Sequence, residues 1–261
     1  MKLGLEHRKA LVLGASKGLG AAIAISLANE GAQVIGASRS VDMIAALNGR
    51  LEPEATGRIT GLPLDLTDKA SRDALLQQVL AQGGVDILIN NTGGPAPGEA
   101  RSTGSEAWAG GFDAMVLSLI EITGALLPKM VERQWGRIVT LTSSGVESPI
   151  PRLAISNGLR AAVLGWSKTL AAEVAADGIT ANIIITGRIH TDRVDQLDAA
   201  AAQRQDTTIE AIRKASLATI PAGRYGKPEE LADVVTFLAS DRAGYVTGAK
   251  IRVDGGMIRS V

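Results

Sequence analysis

Ala10-Leu11-Val12-Leu13-Gly14-Ala15-Ser16-Lys17-Gly18-Leu19-Gly20 joins an apolar run of strand length to a glycine-rich turn, and an Ala-rich stretch of helical length then reaches Asn29 before Gly31 and a second apolar run. Glycines at these spacings let the chain turn sharply, let a phosphate approach the backbone, and let the next helix pack closely on the strand. The helix N-terminus then offers unpaired N–H groups to a pyrophosphate, which makes Gly14, Ser16, Lys17, Gly18, Leu19 and Gly20 the expected phosphate-binding turn. Strand, turn, helix and strand in this order predict a right-handed crossover and a doubly wound sheet. Its ligand crevice should lie beyond the carboxyl ends of the strands.

Further apolar runs of strand length follow at Val34-Ala37, Ile59-Leu64, Val85-Ile89, Ile138-Leu141, Thr180-Ile185 and Ile251-Val253, separated by segments of helical length. In one of these, Leu159, Val163, Trp166, Leu170 and Val174 recur at helical spacing and define a core-facing stripe. The hydrophobic share is 46% but only 3% is aromatic, a palette suited to a parallel sheet covered by helices on both faces. The reading is α/β: residues 1–261 form a single domain, a Rossmann-type doubly wound seven-stranded parallel sheet flanked by helices on both faces, with no linker or repeat to divide it.

Composition also excludes several chemistries. Lys+Arg and Asp+Glu both number 27, so no excess positive charge exists to hold a nucleic acid or an anionic membrane. With no cysteine and two histidines, disulfides, thiolate metal sites and thiol catalysis drop out, and no metal is expected. No uninterrupted apolar stretch approaches a membrane span and the N-terminus lacks a signal-peptide layout, which sets the expectation of a soluble cytoplasmic protein.

The end of the second strand selects the nucleotide. A site for NAD usually places a carboxylate there to bind the adenosine ribose, whereas this chain reads Gly36-Ala37-Ser38-Arg39. Arg39 can fork onto a 2′-phosphate beside Ser38, and Lys17 adds a second positive charge, so NADP(H) is expected over NAD(H).

Across nearly its whole length the sequence resembles the short-chain dehydrogenase/reductase superfamily, in particular its ketoacyl-ACP-reductase-like members. The resemblance rests on Gly14-x-x-x-Gly18-x-Gly20, Asp65-Leu66-Thr67-Asp68, Asn90-Asn91-Thr92-Gly93, Arg137-Ile138-Val139 through Ser143-Ser144, then Asn182, Gly187 and Thr191. The C-terminal segments Pro221-x-Gly-Arg-x-Gly-x-Pro-Glu-Glu-Leu-Ala and Val253-Asp254-Gly255-Gly256 complete it. It implies that Asp65 and Leu66 contact adenine, that Asn91, Thr92 and Gly93 run along the cofactor, and that Gly187, Ile189 and Thr191 form the cofactor loop after the sixth strand.

The family transfers a hydride between nicotinamide and a carbonyl or alcohol carbon, using Ser to orient the oxygen, Tyr to move its proton, Lys to lower the Tyr pKa and bind ribose, and Asn to hold a relay water. Ser143 fits the first role. The family spacing of about 13 leads to Ser156 where Tyr is expected, and Arg160 then stands in place of Lys. Met115 occupies the Asn position. Ser156 and Arg160 fall one turn apart on one helix face, so Arg160 can still reach the nicotinamide ribose. A serine hydroxyl is a far weaker acid than a phenol, so the proton must come from water, from the substrate, or from His190 in the cofactor loop. Arg152, Glu147 and Arg188 stand in the loops that would border the substrate, and Trp108 and Trp135 read as packing residues.

Two classes of function remain open. One is an NADP(H)-dependent oxidoreductase acting on a small carbonyl or hydroxy compound, 3-oxoacyl-reductase-like, with Ser156 and Arg160 replacing Tyr and Lys. The other is a catalytically impaired nucleotide-binding homologue acting as a sensor or scaffold subunit. The resemblance further implies a homotetramer or dimer built by pairing the helices around residues 106–132 and 154–176 and by C-terminal strands, and a substrate lid at about 187–220 whose few large apolar residues predict weak packing.

Overall fold

In the computed structural model, which describes residues 2–261, seven strands form one sheet in the order β3-β2-β1-β4-β5-β6-β7 among the described residues. They are β1 (Lys9–Leu13), β2 (Gln33–Ser38), β3 (Arg58–Pro63), β4 (Ile87–Asn90), β5 (Gly136–Leu141), β6 (Ile179–Thr186) and β7 (Lys250–Val253). Every neighbouring pair is parallel. The chain order reverses between β1 and β4, which puts the crevice of a doubly wound sheet beyond the ends of these two strands.

Side chains alternate across the sheet. Ala10 and Val12 enter one core with α1 (Gly18–Asn29) and α9 (Pro228–Leu238). Leu11 and Leu13 enter the other with α3 (Lys69–Ala81), α5 (Ser118–Glu132) and α6 (Ala154–Val174). Both faces are therefore covered, as the continuous apolar strands required. Leu159, Val163, Leu170 and Val174 of the expected stripe are buried, and Trp166 packs at its edge.

A short α2 (Val41–Ala45) follows β2, and α4 (Ser105–Phe112) continues into α5 through a widened turn at Asp113–Leu117. The whole helical run Ser105–Glu132 has an 18-residue window of mean hydropathy 1.6, long and apolar enough to cross a membrane by length and composition alone. Asp113 and Glu121 interrupt it, so it is not an uninterrupted apolar stretch of the kind the sequence lacks. Here Met115, Leu119, Ile122, Leu126 and Met130 pack it against the sheet, and its Asp113 and Glu121 bind the buried Arg72.

The glycine turn has the conformation its sequence demands. Gly14 and Gly18 take φ of 65° and 58°, which side chains rarely adopt. A Cβ on Gly20 would lie 2.2 Å from the Gly14 carbonyl oxygen, so α1 can approach β1 only without one. Gly20→Ala is expected to destabilise the fold by about 1–3 kcal/mol, whereas Gly49→Ala should be close to neutral. The Gly49 Cβ would meet nothing within 4 Å. Chemical denaturation compares the two.

Candidate active site

A cleft of about 1040 Å³ opens along the carboxyl ends of the strands. Gly14, Ser16, Lys17, Gly18 and Leu19 form its floor at the switch point. Lys17 precedes α1 in extended conformation and no side chain caps the helix, so its first N–H groups face the cleft. Gly20 does not line the cleft and supports it from below. Asn91 spans the same place, its Nδ2 donating to the Leu13 carbonyl at 3.1 Å and thereby tying β4 to the start of the turn.

At the adenosine end stand Ser38, Arg39, Asp65 and Leu66. Ser38 closes the end of β2, its Oγ accepting from the Ser40 N–H at 3.1 Å, and this turn presents the exposed Arg39. Neither Arg39 nor Lys17 forms an ion pair among the described residues. Asp65 Oδ1 accepts from the backbone N–H and hydroxyl of Thr67 at 3.0 and 2.8 Å. Those bonds, with a smaller contribution from the Arg39 charge, hold its carboxyl below the usual range. Arg72 was not singled out by the sequence reading, yet its Nη1 donates to the Leu66 carbonyl at 2.6 Å and fixes this wall from inside the core. Glycine turn, free helix N-terminus and two unpaired cations together fit a phosphorylated dinucleotide.

The opposite end holds the expected reacting groups. Ser143 follows β5 and its Oγ accepts from the Gly145 N–H at 3.2 Å, so the hydroxyl proton is left to donate. Ser156, in the first turn of α6, has its Oγ accepting from Arg160 Nε at 3.3 Å, and its proton is likewise free. The Arg160 guanidinium also donates to the carbonyls of Leu141 at 3.1 Å and Thr92 at 3.4 Å. Burial, aided by the nearby Arg193 charge, pushes its pKa down to about 10, which leaves it a cation at neutral pH. Thr92, Gly93, Gly187, Ile189 and Thr191 complete the wall between the two ends, and Met115 of the widened turn also lines the cleft.

The loop after β4 is pinned to the start of α6: Gly98 N–H donates to Arg152 O at 2.7 Å and Ala154 N–H to Gly98 O at 3.2 Å. Asn157, unnoticed in the sequence, clamps the loop before α6 by bonding both the N–H and the carbonyl of Ile150. These contacts set the position of Ser156 relative to Ser143.

His190 is the correction. It does not line the cleft: with Arg213, Leu217 and the segment Gly223 to Lys227 it lines a separate depression of about 390 Å³, and its Nε2 lies 3.3 Å from Asp195. The β6–α7 loop turns its side chain outward while Ile189 and Thr191 face inward. Arg152, Glu147 and Arg188 also stand away from the cleft, paired with Glu99, with Lys250 and Arg252, and with Asp198 respectively. Arg193 takes their place on the cleft wall.

The segment after Thr191 forms α7 (Asp192–Arg204) and α8 (Ile209–Leu217). Few apolar residues anchor it, as its composition implied, but the attachment is ionic rather than weak. Asp198, on the inner face of α7, is fully buried and accepts from Arg188 and from the Tyr225 hydroxyl at 2.9 Å.

Residues 14–258 match the family described as enoyl-(acyl carrier protein) reductase. The 3-oxoacyl-(acyl-carrier-protein) reductase of Escherichia coli is 37% identical over 256 residues, covering 98% of this chain and 99% of that protein. Its counterpart in Haemophilus influenzae is 35% identical, covering 98% and 100%. Among solved structures, L-sorbose reductase from Gluconobacter frateurii, complexed with NADPH and L-sorbose, superposes with a TM-score of 0.93 at 30% identity over the full length of both chains. YwfH, an NADPH-dependent reductase involved in bacilysin biosynthesis, gives 0.91 at 30% identity, covering 98% and 100%.

Proposed function

We propose, from the premise that the chain belongs to the short-chain dehydrogenase/reductase superfamily, that it reduces a small carbonyl compound with NADPH through a pair of serine hydroxyls. As a member of that superfamily it is an NAD(P)-dependent oxidoreductase resembling the 3-oxoacyl reductases. The observation that carries the finer reading is that Ser143 and Ser156 line one cleft, each with its oxygen already accepting an N–H and its proton free.

When bound, the dinucleotide supplies a hydride to the carbonyl carbon. The chain's own residues then have three tasks. Lys17, Arg39 and the N-terminus of α1 hold the phosphates. The hydroxyls of Ser143 and Ser156 donate to the carbonyl oxygen, and stabilise it as negative charge develops there. Arg160 polarises Ser156 through its Nε–H bond and keeps a positive charge beside the reacting oxygen. The proton that completes the alcohol comes from water, since no phenol or imidazole among the described residues lines the cleft. Ser16, Leu19, Ser38, Asp65, Leu66, Asn91, Thr92, Gly93, Gly187, Ile189 and Thr191 are assigned to the dinucleotide on the same reading, and α7 with α8 is assigned as the cover of the substrate end. Association into a homodimer or homotetramer through α4, α5 and α6 belongs to it as well, supported by the exposed Phe112 and Leu117.

A panel of aldehydes and ketones assayed with NADPH tests the function. Consumption above the buffer rate is expected, with NADPH bound at least about 10-fold more tightly than NADH, and Arg39→Leu should remove most of that preference because it deletes the fork on the 2′-phosphate. Equal or tighter binding of NADH would overturn the nucleotide assignment. No turnover alongside micromolar nucleotide binding would instead favour a sensor or scaffold, the reading to which Met115, Ser156 and Arg160 lend weight.

A further inference from the structure

Two guanidiniums face the substrate end of the cleft, and neither has a carboxylate partner among the described residues. Arg160 spends one N–H on each of Ser156, Leu141 and Thr92, which leaves an N–H on each terminal nitrogen. Arg193 reaches from α7 across to the loop after β4, its Nη2 donating to the Pro95 carbonyl at 3.2 Å. Its charge is felt at Arg160.

The carboxylates that could neutralise this pair are committed elsewhere. Glu99 binds Arg101 and Arg152. Glu147 binds Lys250 and Arg252, while Asp195 and Asp198 serve Arg213 and Arg188. Asp192 lines the cleft beside Arg193 on α7, but forms no ion pair with it among the described residues. The cleft the two cations share is lined by the apolar Met115, Leu153, Ile155, Val194 and Leu197 as well as by polar groups that include Thr103 and Gln196, and Arg193 stands at its exposed side. Like charges that share one cleft repel, and an anion between them relieves the repulsion.

We propose that the substrate is an oxo acid, its carboxylate bound by the Arg193 guanidinium while its carbonyl oxygen lies between Ser143 and Ser156. The inference rests on the carbonyl-reductase reading of the same cleft and narrows its substrate class. A carboxylate is favoured because its planar pair of oxygens matches the guanidinium fork, and because an anion near Arg160 lies within a small molecule's length of the reacting carbonyl. Arg193, a specificity determinant here, touches the substrate at a distance from the bond that changes.

The test compares 3-oxohexanoate and 2-oxo-4-phenylbutanoate with their methyl esters, by NADPH turnover and by calorimetric titration into the protein at saturating NADP⁺. The acids are expected to exceed the esters by about 10- to 100-fold in kcat/KM and in affinity. Arg193→Met should bring that ratio close to one, Arg193→Lys should recover part of it, and the nucleotide Kd should move less than about threefold in both. Esters turned over as well as acids would overturn the inference and leave the reductase reading intact. Acids that bind through Arg193 without turnover would do the reverse. If neither acids nor esters bind, or if Arg193→Met weakens NADP⁺ as strongly as it weakens the acids, the anion held is not the substrate's and the inference falls.

Discussion

Ser143→Ala is expected to lower kcat by about 10²- to 10³-fold, with the nucleotide Kd nearly unchanged, because it deletes a donor aimed at the oxygen on which charge develops. The expectation follows from how the side chain is held. Ser143 follows β5 at the start of a tight turn, and the Gly145 N–H donates to its Oγ, which orients the side chain and leaves the hydroxyl proton available to donate. Behind it, Thr142 is fastened to β6 through its hydroxyl and the Ile184 carbonyl at 2.9 Å, so the backbone carrying Ser143 belongs to the rigid sheet. Steady-state rates and nucleotide titration on the same preparation separate chemistry from binding. An unchanged kcat would place the carbonyl oxygen against some other donor.

The second large effect is a gain. Ser156→Tyr combined with Arg160→Lys should raise kcat by about 10²- to 10⁴-fold, the worth of a positioned general acid. A phenol titrates near 10 in water, and an adjacent ammonium lowers it towards the working range, whereas a serine hydroxyl stays far outside it. The site tolerates the exchange sterically in one respect that matters: Ser156 lines the open cleft, so a larger side chain there extends into solvent-accessible space and not into the core beneath α6. The single Ser156→Tyr change should gain less, since the guanidinium of Arg160 is tied to the Leu141 and Thr92 carbonyls. A pH profile of kcat distinguishes the mechanisms, because only the variants that carry the phenol should acquire a dependence on its deprotonation, at a lower pH where the ammonium of Arg160→Lys stands beside it. No gain would mean that the two hydroxyls already manage proton delivery from water without penalty.

The fold was legible because it is written locally. Apolar runs of strand length, glycines between them and the turn at Gly14 to Gly20 each fix their own conformation, and together they leave few ways to order the strands. The lining of the cleft was legible for the same reason: Arg39, Asp65, Thr92, Ser143, Ser156 and Arg160 are reached by counting along motifs, and all of them line it. What the sequence hid depends on which way a side chain leaves a loop. His190 and Thr191 are adjacent, yet one faces a side depression and the other the cleft. Likewise Arg188, Arg152 and Glu147 were expected to border the substrate and are bound to carboxylates or cations away from the cleft, whereas Arg193, which no motif singles out, lines it. Arg72 and Asn157, which brace the two ends of the site, carry no motif at all, and their roles arise from contacts with residues far along the chain or across a turn.

The ionic fastening of α7 has a thermal consequence. Detaching that helix pair would uncover Asp198, Arg188 and the Tyr225 hydroxyl, but little hydrocarbon beyond Ala202 and Ile212. Heat capacity changes track the apolar area exposed, so the grip of this segment contributes little to the curvature of stability with temperature. Chilling would weaken the Leu- and Ile-rich layers on either side of the sheet while α7 and α8 kept almost the same hold.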